Sequence, residues 1–90
     1  APEQALGLAV DPRTDLYALG VCFFELLTGQ LPYSEGDLAW QHQNAPVPDP
    51  RSLVPEIPVA IAELVVQMLA KQPENRPSSA AEVAARLKQS

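Results

Sequence analysis

Apolar residues form a nearly unbroken run between Leu16 and Leu27, in which Glu25 is the only charged residue. A helix of this composition has no polar strip, so we expect other elements to surround it. The run is also too short for a bilayer, which takes roughly 20 residues to cross. Thr14 can cap its start, and Gly29 can close its end in the left-handed conformation. The pattern therefore predicts a buried central helix.

Three further patterns predict shorter helices around the central one. Asp37 can cap a helix that continues to about Asn44. A second helix follows Pro58, with apolar residues at i, i+3, i+4, i+7 and i+8 counted from Ile61, and Lys71 suits its C-terminal end. The run Ser79-Ala-Ala-Glu82 fits a capping box that opens a third.

Prolines divide the remaining sequence. Pro2 suits the first position of one helical turn, which Gly7 and Pro12 then end. Five prolines between Pro46 and Pro58 predict an extended connector, because each restricts its own φ and that of the residue before it. No β-hairpin signal or internal repeat is present. The predicted fold is all-α, with one central helix and about three shorter ones, and residues 1–90 make up at most one domain or part of one.

Charge and cysteine content narrow the function. The net charge is −5 and no cluster of Lys and Arg occurs, which argues against nucleic-acid binding. Cys22 is the only cysteine, so no internal disulfide can form, and its place in the apolar run predicts a buried small hydrophobe. We expect a cytoplasmic protein with no membrane segment. The start at Ala1 instead of Met suggests a fragment.

Candidate catalytic chemistry is sparse. His42 and Cys22 each stand alone, without a partner at metal-ligand spacing, so no metal site is predicted. The four glycines are too scattered to form a phosphate-binding loop. Glu35 and Asp37 lie in a predicted loop, where a solvated role is expected. The sequence thus predicts no catalytic, cofactor-binding or metal-binding residue.

Two charged residues are expected to have hydrogen-bond or ion-pair partners within the protein. Asp15 begins a helix predicted to be buried, so its carboxylate should accept hydrogen bonds from elsewhere in the protein. Arg76 lies in a tight connection before Pro77, where a planar guanidinium suits a bidentate carboxylate. Eleven acidic residues are candidates for that partner.

The predicted helix after Asp37 carries two large apolar side chains, Leu38 and Trp40. They could form a docking surface for another protein. Alternatively, Trp40 could pack beneath the proline-rich connector.

Four motifs together resemble the second half of the C-lobe of a Hanks-type serine/threonine protein kinase, and bacterial eukaryote-like kinases in particular. The resemblance covers essentially the whole chain, and the motifs keep the family's order and spacing. They are Ala1-Pro2-Glu3, Asp15-Leu-Tyr-Ala-Leu-Gly20-Val, Leu26-Leu-Thr-Gly29-Gln-Leu-Pro-Tyr33 and Leu69-Ala-Lys-Gln-Pro-Glu-Asn-Arg76-Pro.

The resemblance implies structural roles for four positions: Glu3, Arg76, Asp15 and Gly20. Glu3 is similar to the glutamate that forms a buried ion pair with the arginine matching Arg76. Asp15 is similar to the aspartate that accepts hydrogen bonds from the backbone of the catalytic loop. The helix from Leu38 to Asn44 corresponds to one that family members often use to dock substrates or regulators.

The family's nucleotide-binding and catalytic motifs precede A-P-E and have no counterpart here. ATP and Mg²⁺ are therefore implied only for a complete kinase, and this chain alone is expected to be inactive. Three hypotheses remain: part of a kinase from a truncated or split gene, a non-catalytic binding module, or a degenerate remnant.

Expected partners are proteins. The first candidate is the missing N-terminal part of the kinase domain, and the second is a substrate or regulator near Leu38 to Asn44. Self-association is the third, because the side of the central helix carrying Leu16, Leu19 and Phe23 is expected to be exposed.

Overall fold

The computed structural model describes residues 1–5 and 12–89 of the 90-residue chain. Within these residues the fold is all-α, as predicted, and contains no strand. The helix break predicted at Gly7 lies outside the described residues. The α-helices are α1 (Pro2–Ala5), α2 (Pro12–Thr28), α3 (Leu38–Asn44), α4 (Pro50–Leu53), α5 (Val59–Met68) and α6 (Ala80–Lys88). A short 3-10 turn, Pro73–Asn75, lies between α5 and α6.

The central helix α2 begins at Pro12, ahead of the cap predicted at Thr14. Proline suits a first helical turn because the N–H it lacks would have no partner there. Thr14 is therefore not the cap, and its hydroxyl instead donates a hydrogen bond to Glu3, with 2.6 Å between the oxygens. At the other end Gly29 has a φ of +76°, and its N–H donates to the carbonyl of Glu25 at 2.8 Å. The left-handed cap predicted at Gly29 is thus confirmed.

The core lies where α2 packs against α5. Two clusters of buried side chains fill this contact, and α6 adds one residue to the first of them. The first cluster is Leu16, Leu64, Met68 and Val83. The second is Tyr17, Phe24, Val65 and Leu69.

The side of α2 that is open to solvent differs from the one predicted. Leu16 is buried, and Leu19 and Phe23 are partly buried against the same cluster, so the expectation that this side is exposed was wrong. The reason is that α5 and α6 cover it, which the pattern within α2 could not show. The exposed residues recur at helical spacing and define the open face of α2: Asp15, Ala18, Cys22, Glu25 and Leu26.

Two residues of this open face were expected to be buried. Cys22 is exposed, so it does not serve as a core hydrophobe. Asp15 is exposed as well and faces no desolvation cost, because no described element packs over it. The central helix is therefore covered on one side only by the described residues.

The connector between α2 and α5 is more helical than its prolines suggested. Asp37 caps α3 as predicted, accepting a hydrogen bond from the backbone N–H of Trp40 at 3.0 Å. The prolines after Pro46 do not form a continuous extended segment, because Asp49 caps the short helix α4. Pro50 at the first position of α4 favours that helix, as Pro12 favours α2.

The last two helices agree closely with the pattern. α5 follows Pro58 as expected but ends at Met68, so Lys71 lies beyond it and does not serve its C-terminal end. In α6 the side chain of Ser79 accepts from the N–H of Glu82, which is half of the predicted capping box. The Glu82 carboxylate accepts instead from the hydroxyl of Ser78 at 3.0 Å.

None of the helices in the described part of the chain combines the length and the apolar character that crossing a membrane requires.

Gly20 sits at the closest approach of α2 to α5, and we predict that Gly20→Ala destabilises the protein. An added Cβ would lie 2.8 Å from the Met68 Cβ, an atom fixed to the backbone of α5. Overpacking of this kind costs about 1 to 3 kcal/mol, more than the roughly 1 kcal/mol that alanine gains in helix propensity. Urea unfolding measures the difference. Cys22→Ala on the open face is the matched control, expected within about 0.5 kcal/mol of wild type. A more stable Gly20→Ala variant would contradict the close approach.

Candidate functional site

Arg76 is the centre of the most completely bonded polar site in the described residues. The 3-10 turn before it and Pro77 after it fix the backbone, and its side chain turns inward until only 3% of the residue is exposed. Its Nε donates to the carbonyl of Ala70 at 2.8 Å. Nη1 also donates to the carbonyl of Arg13 at 2.9 Å, and Nη2 to that of Lys71 at 3.3 Å.

Glu3 supplies the countercharge from α1. It is 4% exposed, and its Oε2 and Oε1 atoms accept from Nη1 and Nη2 of Arg76 at 2.7 and 2.9 Å. The pair is therefore bidentate, the strong geometry for guanidinium and carboxylate. Thr14 donates to the same Oε2 atom, which links the start of α2 to the pair.

This geometry determines the direction in which the pKa of Glu3 is shifted. The hydrogen bonds from Arg76 lower the pKa of Glu3 from 4.5 to about 2, against the opposing effect of burial. Breaking a buried pair by removing one partner typically costs about 3 to 5 kcal/mol, since it leaves the other charge uncompensated. The site therefore acts as a structural clamp between α1, the start of α2 and the loop that follows α5.

A second polar cluster, which we call the tyrosine–histidine cluster, lies beside this clamp and consists of Tyr17, Tyr33, His42 and Lys71. The Arg76 guanidinium carbon lies 4.9 Å from the centre of the Tyr17 ring, a cation–π distance that joins the two sites. The Tyr17 hydroxyl lies 2.7 Å from Nδ1 of His42. Lys71 donates to the Tyr33 hydroxyl at 2.9 Å.

Burial shifts the pKa values of the four side chains in this cluster in the direction that favours the neutral form of each. It raises the pKa of Tyr17 and of Tyr33, so both hydroxyls keep their protons. It lowers the pKa of Lys71 and that of His42, and the positive charge of Lys71 lowers the latter further. Sequence reasoning missed this cluster, because Tyr17 and His42 are 25 residues apart and no motif contains both of them.

The structure separates the remaining sequence-predicted residues. Gly20 lies in the contact between α2 and α5, and Asp15 lies on the open face of α2. Leu38 is 42% exposed and Trp40 is 56% exposed, so the alternative in which Trp40 packs under the connector is wrong. In the described ranges, no three His, Cys, Asp or Glu side chains come close enough together to hold a metal ion.

Comparison with known proteins agrees with the motifs. Residues 1–87 match the family described as protein tyrosine and serine/threonine kinase. The chain is 49% identical over 84 residues to the serine/threonine-protein kinase Pkn1 of Myxococcus xanthus, which covers 90% of this chain and 12% of Pkn1. It is 45% identical over 87 residues to the DNA damage-responsive serine/threonine-protein kinase RqkA of Deinococcus radiodurans. That match covers 93% of this chain and 13% of RqkA. It is 43% identical over 91 residues to the serine/threonine-protein kinase PknB of Mycobacterium leprae. That match covers 97% of this chain and 14% of PknB.

The chain therefore belongs to the protein tyrosine and serine/threonine kinase family. Within that family it is similar to Hanks-type bacterial serine/threonine kinases and corresponds to the C-terminal part of the C-lobe. It spans 12% to 14% of the length of these curated relatives.

The clamp predicts a loss of stability in acid. The folded pKa of Glu3, about 2, lies below its ordinary value of 4.5, so its contribution is complete above pH 4.5 and disappears as the pH falls towards 2. We expect the free energy of unfolding to decrease by about 3 kcal/mol across that window. Urea unfolding at several pH values measures it.

Glu3→Gln is the matched control for this acid loss, because its side chain has the same shape but does not titrate. This variant should be less stable at neutral pH and should lack the part of the acid slope that Glu3 causes. An unchanged slope in Glu3→Gln would show that other carboxyl groups control acid unfolding.

Proposed function

We propose that this chain is the C-lobe scaffold of a serine/threonine protein kinase, whose complete protein transfers phosphate from ATP to serine and threonine residues of proteins. The observation that carries the proposal is the buried Glu3–Arg76 pair, formed by the two positions that the motif resemblance pairs. The relatives' names as serine/threonine-protein kinases support the same activity.

The residues that the structure describes do not fit a nucleotide site. Phosphoryl transfer relies on a lysine at the phosphates, a catalytic aspartate, and side chains that hold Mg²⁺. Lys71 is engaged by Tyr33 and by the carbonyl of Gln41, and Glu3 is engaged by Arg76. ATP and Mg²⁺ are therefore assigned to other parts of the complete protein, and this chain contributes a rigid support.

The open face of α2 supports a protein partner. Leu26 is 80% exposed on this face, next to an apolar groove of about 320 Å³ whose lining includes Phe23, Ile61 and Leu87. Asp15 lies at the other end of the same face, where its carboxylate is accessible to backbone donors. We assign this face to the preceding part of the kinase domain, with Asp15 accepting from the catalytic-loop backbone as the resemblance implies.

A second surface is proposed on α3 for a protein substrate or regulator. Leu38 and Trp40 project from it, and no residue of α3 is buried. Glu35 and Asp37 precede the pair in the chain and are exposed, which favours a partner segment that carries basic residues. Nucleic acid is not a proposed partner, because the net charge is −5. The cytoplasm is the proposed location, since ATP is available there and Cys22 is an exposed free thiol.

The alternative is a non-catalytic module that binds another chain through the open face of α2. The exposure of Leu26 favours it as well, because exposed apolar patches mark association sites. The two proposals differ in whether a kinase domain containing this segment transfers phosphate.

A chimera tests the kinase proposal. Residues 1–87 of this chain would replace the matching segment of Pkn1 from Myxococcus xanthus, and autophosphorylation would be followed with radiolabelled ATP. We expect the chimera to transfer phosphate and the 90-residue chain alone to show none. We expect activity because the Glu3–Arg76 clamp supports the C-lobe of the chimera. Arg76→Ala in the chimera should therefore reduce phosphate transfer.

Unaltered Pkn1 is the reference for this assay, and circular dichroism verifies that the chimera is folded. A folded chimera without activity would contradict the kinase proposal and favour the binding module.

Leu26→Gln tests the open face. We expect the isolated chain to self-associate through this face, and the variant to shift sedimentation towards the monomer, because an amide replaces the large apolar side chain that is most exposed among the described residues. Leu53→Gln on α4 is the matched control, since Leu53 is also an exposed leucine but lies off the face. Equal shifts for both variants would show that general solubility, and not this face, controls association.

A further inference from the structure

Helix α3 is attached to the rest of the protein by polar contacts. None of its residues is buried, so burial of apolar side chains contributes little to its position. Lys71 donates to the carbonyl of Gln41 in α3 at 3.1 Å. The Tyr33 hydroxyl donates to the carbonyls of Ala45 and Pro46, both at 3.1 Å. The Tyr17–His42 contact is the one that joins α3 directly to a side chain of α2.

The direction of that hydrogen bond follows from the surroundings of Tyr17. The residue is 2% exposed, and burial keeps its hydroxyl protonated. Among the described residues, Nδ1 of His42 is the acceptor within hydrogen-bond distance of this hydroxyl. A buried O–H without an acceptor is costly, so Tyr17 donates and His42 accepts. His42 is therefore neutral when α3 is attached, with its proton on Nε2.

The groups around His42 oppose a positive charge on the ring. Tyr17 approaches from α2 and Tyr33 from the loop after it, and both rings meet the imidazole edge to face, with centroids 5.7 and 5.0 Å away. Lys71 approaches from the segment after α5, and the amino group of Ala1 is the other cation that acts on His42. The carboxylate of Glu3, which acts on Tyr17 of the same cluster, is committed to Arg76 and Thr14.

We propose that His42 is a proton-sensitive anchor for α3, and that protonation of its Nδ1 atom releases the helix together with the exposed Leu38 and Trp40 side chains. A protonated Nδ1 cannot accept from Tyr17, and in the described part of the chain the charges that act on the imidazolium, those of Lys71 and the Ala1 amino group, are positive. The attachment is complete above pH 6.5, the ordinary value for histidine, and weakens as the pH falls below it. The inference does not depend on the proposed kinase activity, because it concerns the position of α3 whatever binds there.

The sequence provides two selective probes of the anchor, because His42 is the only histidine and Trp40 the only tryptophan. Histidine labelled at Cε1 gives the pKa of His42 by NMR, in native buffer and in concentrated urea. We expect the lower pKa in native buffer. We also expect the fluorescence anisotropy of Trp40 to fall with acid at the same midpoint as the His42 titration. Quenching by a nearby imidazolium would shorten the lifetime and raise the anisotropy, so a fall reports greater mobility.

His42→Gln is the matched variant, since its amide oxygen can accept from Tyr17 but does not titrate. The anisotropy step should disappear in it. Tyr17→Phe, which removes only the hydroxyl, should reduce the step and provides a second check should His42→Gln fail to fold. Equal pKa values in native buffer and in urea would overturn the proposal. So would a step that persists in His42→Gln, or one that occurs only in the acid range assigned to Glu3.

Discussion

The buried guanidinium of Arg76 is the constraint on which the rest of this structure depends. Arginine cannot lose its proton in a protein, so a residue with 3% exposure must find an acceptor for each of its five N–H groups. The protein supplies three backbone carbonyls and both oxygens of Glu3. Those acceptors come from α1, from the start of α2 and from the loop after α5. One side chain therefore sets the relative positions of three segments that are distant in sequence.

A series of contacts also connects this clamp to α3, the helix that we assign to partner binding. Arg76 lies over the ring of Tyr17, Tyr17 donates to His42, and His42 is part of α3. The contacts run from a charge pair that is insensitive to pH near neutrality to a histidine whose pKa burial lowers from its ordinary value. The clamp can therefore stay intact while the release of α3 that we propose takes place.

The two sides of α2 differ in how they are packed. On one side Gly20 lets α5 approach so closely that a Cβ at position 20 would lie 2.8 Å from that of Met68, and the core clusters form around this contact. On the other side the described residues leave Ala18, Cys22 and Leu26 open to solvent. A helix that is apolar all round but covered on one side suits a scaffold whose second side receives another part of a domain or another chain. This arrangement agrees with membership of the kinase family, in which the chain matches a small part of each relative's length.

The sequence by itself determined the helices, several of their caps and the family, because these depend on neighbours within a few residues or on motifs of fixed spacing. Asp37, Ser79 and Gly29 act where local chemistry predicts. Pro50 and Asp49 are the exception, since a proline-rich stretch favours both an extended chain and the first turn of a helix. Only the tertiary structure decided which side of α2 is covered, because the apolar residues between Leu16 and Leu27 do not gather on one side of the helix. It also decided that Thr14 bonds to Glu3 and that Tyr17 bonds to His42, since hydrogen bonds between distant residues depend on how helices pack and leave no periodic trace in the chain.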